Sequence, residues 1–119
     1  MADVTVKTFD ELDSYEGKGR FCFAGKSLGV TAWGMNLERF PAHYDGYPDH
    51  DHAEDGQEEA YVVLEGSATL TAGGQSWELV PGAMARVGAA QKRKLVPGAD
   101  GVTVLVLGGT PGQAYAPRA

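Results

Sequence analysis

Cysteine is almost absent. Cys22 is the single one in 119 residues, so no internal disulfide can form and stability must come from a packed core. Basic residues are also few: 10 Lys and Arg face 16 Asp and Glu, a net charge of −6. That balance excludes the basic footprint nucleic acid demands and the polybasic surface drawn to anionic lipid. Long apolar runs are missing. Runs such as Ala60 to Leu64 and Val104 to Leu107 fall far short of the roughly 20 residues that span a bilayer. Met1-Ala2-Asp3 opens with neither a basic nor an apolar leader segment, so the expected location is the cytoplasm. Helical patterning is scarce too. Thr8-Phe9-Asp10-Glu11-Leu12 is the one helix start, with Glu11 three residues after a capping threonine. Histidine is rare, and none follows His52.

Glycine, by contrast, is abundant, with 17 residues, and apolar residues make up 43%. Glycines scattered between short apolar runs read as turns between many short strands. From Trp33 to Glu38 the chain alternates, with Trp33, Met35 and Leu37 on one face and Gly34, Asn36 and Glu38 on the other, which predicts a half-buried strand with Trp33 and Met35 in the core, a surface that in a barrel is also the pocket wall. Ala60 to Leu64 is apolar on both faces, and Glu65-Gly66 breaks it. Ser67 to Ala72 and Gln75 to Leu79 flank Gly73-Gly74, a two-residue hairpin signal. Met84 to Val87, Lys92 to Val96 and Val102 to Leu107 follow, with Pro97-Gly98-Ala99-Asp100-Gly101 as the last sharp turn. About eight short strands with no long helices predict one all-β domain, a closed sandwich or barrel. The tail beyond Gly108 is rich in glycine and proline and is expected to drape over the surface. Its Gly108-Gly109-Thr110-Pro111-Gly112 run opens no helix, which argues against a phosphate loop.

The chemistry concentrates in His50-Asp51-His52. In a strand residues i and i+2 point to the same face, so both imidazoles project together. Glu59 begins the apolar strand that follows, and residues 53–58 allow that strand to return beside the histidines. Two imidazoles and one carboxylate form the set that non-haem Fe(II) uses, and one that also serves Mn, Ni or Zn. The plainer reading is two surface histidines on a polar, acid-rich loop. His43 reads as a surface residue, and Cys22, between Phe21 and Phe23, as a small packed one.

The stretch from His50 to Gly66 resembles the first motif of the cupin family: H-x-H, a short spacer, E, six residues, G. Glu59 and Gly66 stand at that last spacing. Pro81-Gly82 before a strand resembles the start of the second motif. The likeness runs from about Trp33 to Leu107 and implies a jelly-roll, or double-stranded β-helix, barrel preceded by a short N-terminal helix. The barrel core would cover about residues 20–108 of a single domain spanning 1–119, with 109–119 as the tail.

Two departures bear on the site. The spacer between His52 and Glu59 is longer than the motif's, so Glu58 competes with Glu59, although strand alternation favours Glu59. The histidine that ends the family's second motif falls at Arg93, and an arginine does not ligate metals. The chain resembles a subgroup of small bacterial cupins with arginine there. Arg93 shares a strand face with Leu95, which favours an inward guanidinium forked onto Glu59. The alternative turns it outward beside Lys92 and Lys94.

Two functional readings follow. In one, the barrel binds a small polar or anionic molecule using Arg93, Tyr61, Trp33 and Met35, with no cofactor. In the other, His50, His52 and Glu59 hold a divalent metal, Fe, Mn, Ni or Zn, for dioxygenase- or isomerase-like chemistry. Three ligands beside a fixed cation predict at most weak metal binding. Apolar Val62 and Leu64, opposite Glu59, Tyr61 and Val63, predict a second covering layer. The resemblance implies that a homodimer supplies it, and residues 1–30 are the intramolecular alternative.

Overall fold

A computed structural model describes residues 2–116. Six strands form one curled antiparallel sheet: β1 Phe21–Cys22, β2 Gly34–Phe40, β3 Glu58–Ala72, β4 Gln75–Leu79, β5 Met84–Val87 and β6 Arg93–Gly109. The order is β1-β2-β6-β3-β4, with β5 also on β3. The expected breaks at Glu65-Gly66 and at Pro97 to Gly101 do not end strands. They are irregularities inside the long β3 and β6, where the register shifts between Val63 and Glu65 and between Gly66 and Ala68. Short runs expected as separate strands therefore merge in pairs. The extra residues bend the pair, as bulges do, and carry the sheet round on itself.

Gly66 shows why. Its φ is +71°, and a Cβ there would collide with the carbonyl group of Gly101. Only glycine combines that backbone conformation with that approach. Gly73 and Gly74, with φ of +58° and +75°, form the tight β3–β4 turn that leaves Ala72 opposite Gln75.

The inner face buries Phe40, Tyr61, Val63, Leu70, Leu95, Val104 and their neighbours. A second cluster lies on the outer face, where Cys22, Ala24 and Leu37 pack with Leu12 and Met35. The period of β2 is therefore as the sequence indicates, but its sides are reversed. Met35 and Leu37 face outward beneath the N-terminal segment, and Trp33 is 46% exposed. Phe40 and the buried Glu38 face inward. Alternation shows that a face is covered, not what covers it.

The N-terminal helix is a single 3-10 turn, Phe9–Glu11, whose Glu11 carboxylate accepts from the Thr8 N–H and hydroxyl at 2.9 Å. A further helix, α1 Ala24–Leu28, was not legible in the sequence. It ends on Gly29 in the left-handed region. The tail touches the rest of the chain at Thr110, whose Oγ1 donates to the Asp55 carbonyl at 2.9 Å, and at Tyr115, whose ring lies against Gly34. No helix among the described residues is long and apolar enough to cross a membrane.

Gly66→Ala should cost about 1–3 kcal/mol or more, since strain and collision act together. Urea unfolding reads this directly, and a variant as stable as the parent would contradict the bend described.

Candidate functional site

His50 and His52 sit on the loop between β2 and β3, not within a strand. An isolated bridge nevertheless ties the loop to the barrel: His50 N donates to Arg93 O at 3.0 Å, and Arg93 N to His50 O at 2.8 Å. His52 N donates to Ala89 O at 2.7 Å. The two rings meet edge to face, with centroids 5.2 Å apart. Glu59 reaches them from the start of β3. One ligand atom from each of His50, His52 and Glu59 lies within 4.8 Å of the others. Glu58 turns away and pairs with Arg86 at 3.0 Å, so the strand pattern, and not the motif spacer, decides between the two glutamates.

Arg93 is fully buried. Its Nη2 donates to Glu59 Oε1 at 3.1 Å, and its Nη1 to the Gln91 carbonyl at 2.8 Å. The guanidinium thus points inward, but it shares itself between two acceptors and does not fork onto Glu59. Tyr61 donates to the same Oε1 at 3.1 Å. Tyr47 lies 2.6 Å from the Tyr61 hydroxyl and, since that proton is engaged by Glu59, acts as the donor. Burial, with nearby carboxylates adding to it, pushes both phenols above their ordinary range. They remain donors at any working pH, and Glu59 is held from the inside by a fixed cation and a phenol.

The outside of the cluster has the opposite character. His50 Nδ1 is 2.9 Å from the Pro48 carbonyl, which can only accept. His52 Nδ1 is 3.2 Å from both oxygens of Asp55. Each neutral ring therefore carries its proton on Nδ1 and leaves a lone pair on Nε2. Those lone pairs lie 3.9 Å and 3.4 Å from Glu59 Oε1. Three acceptors converge with no proton between them, which suits a cation and is how second-shell acceptors orient metal-ligating histidines. The donor set therefore fits the divalent metal that the resemblance implies.

The remaining candidates are not brought to this cluster. Trp33 is at the surface and Met35 lies in the outer-face cluster, whereas Tyr61 touches Glu59 directly. His43 is exposed, with a φ of +54°.

Glu38 was missed. Its side chain is buried inside the barrel and, with Arg93 Nε, owns one of the two buried side-chain atoms lacking a hydrogen-bond partner among the described residues. Burial first, then the charge of Glu59, pushes its carboxyl up to about 8. Its one sequence signal is its place two residues before Phe40 on the same strand face.

With this geometry in hand, comparison with known proteins identifies the class. No protein-family model matches the sequence, and no curated protein matches it. Solved structures do match, and the fold is that of the cupins. A cupin protein from Bacteroides fragilis superimposes with a TM-score of 0.69 over 99% of this chain and 93% of its own, at 19% identity. A sugar phosphate isomerase from a cupin superfamily, from Silicibacter pomeroyi, gives 0.67 at 25% identity, covering 82% of this chain. This chain spans only 59% of that protein's length. A Cupin 2 conserved barrel domain protein from Salinispora arenicola gives 0.58 at 12% identity over 67% of this chain and 65% of its own.

Substitutions at two positions, Arg93 and Glu38, test the inner half of the site. Arg93→Ala strands the Glu59 carboxylate and should cost about 3–5 kcal/mol, much of which Arg93→Ala with Glu59→Gln should recover. Additive losses in that cycle would show that the pair is not coupled. Glu38 gives a pH signature. Between its ordinary value of 4.5 and about 8 the unfolded chain releases this proton while the folded protein keeps it. Its contribution to stability therefore falls as pH rises through that window. Glu38→Gln should gain stability over the parent progressively across it, by several kcal/mol at the top. A pH-independent difference in chemical unfolding would contradict the buried neutral acid.

Proposed function

We propose that this chain is a small-molecule-binding cupin whose recognition centre, His50, His52 and Glu59, works by accepting a divalent cation. The observation that carries this reading is the orientation of both imidazoles, each committed through Nδ1 so that Nε2 faces Glu59. A cation held there supplies a Lewis-acidic centre for a polar ligand. The residues of the chain do the rest. Pro48 and Asp55 aim the rings, and Tyr61 and Arg93 hold Glu59 still.

Arg93 has no accessible surface, so it offers an anion no direct contact. The anion-binding role expected of it passes, in this reading, to positioning Glu59. A cation held by these three acceptors would offer its open positions to oxygen lone pairs, which suits a ligand rich in hydroxyl oxygens. The Silicibacter neighbour is described as a sugar phosphate isomerase, and a polyol of that kind fits such a surface. Isomerase-like or dioxygenase-like turnover is the catalytic form of the same proposal. The exposed outward face of β3 supports a homodimer as the working form.

A second reading keeps the site free of metal. It is favoured by the guanidinium 3.1 Å from Glu59 Oε1, which already neutralises the carboxylate. Hydroxyl donors would then meet Nε2 of both rings directly.

Calorimetric titration of chelator-treated, untagged protein with Mn(II), Ni(II), Zn(II) and Fe(II) separates the two. One cation per chain is expected, bound weakly because Arg93 shares the ligand oxygen, and lost in His50→Ala and His52→Ala. Affinity should decline on acidification as protons compete for the imidazole lone pairs. Arg93→His, with its far-ultraviolet spectrum unchanged, should bind about tenfold tighter or more as the repulsion is removed. No uptake by either protein would leave the metal-free reading.

A further inference from the structure

Gly34 and Asn36 share a face of β2 with the inward Glu38 and Phe40. Asn36 is nevertheless exposed, so the barrel is open at that level. It stands opposite Val106 of β6, and Val106 stands opposite Tyr61 of β3. One row further out, Gly34 pairs with Gly108, and Gly108 with Glu59. Three adjacent strands thus present Glu59 and then two glycines on the inner face. This is a floor without side chains, about 10 Å across at two strand spacings.

Other parts of the chain reach over that floor. A Cβ on Gly108 would stand 3.0 Å from Gln57 Oε1 and 3.6 Å from Glu59 Cγ. A Cβ on Gly34 would stand 3.1 Å from both Cε1 and the hydroxyl oxygen of Tyr115. Tyr115 belongs to the tail and is half-buried there. The tail is anchored where Thr110 donates to the Asp55 carbonyl, and it turns where Gln113 N donates to Thr110 O at 3.2 Å. Asp55 is also the residue that aims His52. The tail therefore starts on the histidine side of the mouth and sets its phenol on the far side.

We propose that Tyr115, with Asn36 and Gln57, forms the second wall of the ligand pocket, facing His50, His52 and Glu59 across the glycine floor. Its ring limits access to the centre, and its hydroxyl binds the ligand. The proposal rests on the reading of that centre as the recognition site for a polyol, and it names the groups that take the hydroxyls beyond the centre. A phenol and two carboxamides each donate and accept, as a hydroxyl does, and none of them carries a charge. Trp33 and Met35, expected to line the pocket, lie on the opposite face of β2. Their neighbours Gly34 and Asn36 take that place.

Carbethoxylation of the full, metal-free chain by diethyl pyrocarbonate tests the wall without needing a ligand. The reagent attacks the bare Nε2 of a neutral imidazole, and NMR of histidine-labelled protein follows each ring separately. Tyr115→Ala should speed the reaction at His50 and His52 severalfold and leave the exposed His43 unchanged. Tyr115→Phe, which keeps the ring, should react at the parent's rates. Rates at His50 and His52 that are the same in Tyr115→Ala as in the parent would overturn the wall. Calorimetric titration with sorbitol, with and without Mn(II), then reads the ligand contact. Sorbitol should bind Tyr115→Phe and Tyr115→Ala severalfold more weakly than the parent. Equal affinity for the parent and Tyr115→Ala overturns the contact. No binding to the parent, with the carbethoxylation rates still separated, overturns the polyol reading of the centre while the wall stands.

Discussion

The polar interior of this barrel depends on one contact, Arg93 to Glu59 at 3.1 Å. A guanidinium with no exposed surface is costly to hold in a core unless its charge is answered. Here Glu59 answers it, and the Gln91 carbonyl takes a second donor. The same contact sets the direction of everything around it. Glu59 is drawn inward onto Arg93 and Tyr61, and its oxygen is thereby presented to two imidazoles whose protons lie on the far side. One carboxylate thus joins a donor-rich interior to an acceptor-rich mouth.

That asymmetry separates support from recognition. Tyr47, Tyr61 and Arg93 form a relay of donors ending on Glu59. Glu38 stands apart from the relay, buried with an oxygen that has no partner. It tolerates this place because burial and Glu59 keep it protonated up to about 8. A neutral carboxyl costs far less in a core than an anion, and it is as a neutral acid that Glu38 is carried there.

Much of this was legible in the sequence, and the reasons differ by residue. Glu59 could be preferred over Glu58 because strand period puts it with Tyr61 and Val63. Arg93 could be turned inward because Leu95 shares its face. Alternation is symmetric and leaves the sidedness of β2 open. Trp33, Met35 and Leu37 look like a core face, but a helix as short as Ala24–Leu28 leaves too little periodicity to reveal a second cover outside the barrel. Glu38 was hidden for the same reason, being an acid on what read as the solvent side. The bends inside β3 and β6 were mistaken for strand ends because glycine and proline mark bulges and turns alike.

The orientation of the two imidazoles is the hinge of the functional reading. Nitrogen-15 NMR of histidine-labelled, metal-free protein at mildly alkaline pH reports which ring nitrogen carries the proton. His50 and His52 should both show a protonated Nδ1 and a bare Nε2, as the Pro48 carbonyl and the Asp55 carboxylate require. A proton on Nε2 of either ring, donated toward Glu59, would contradict the cation-accepting centre and leave a hydrogen-bonded polar cluster in its place.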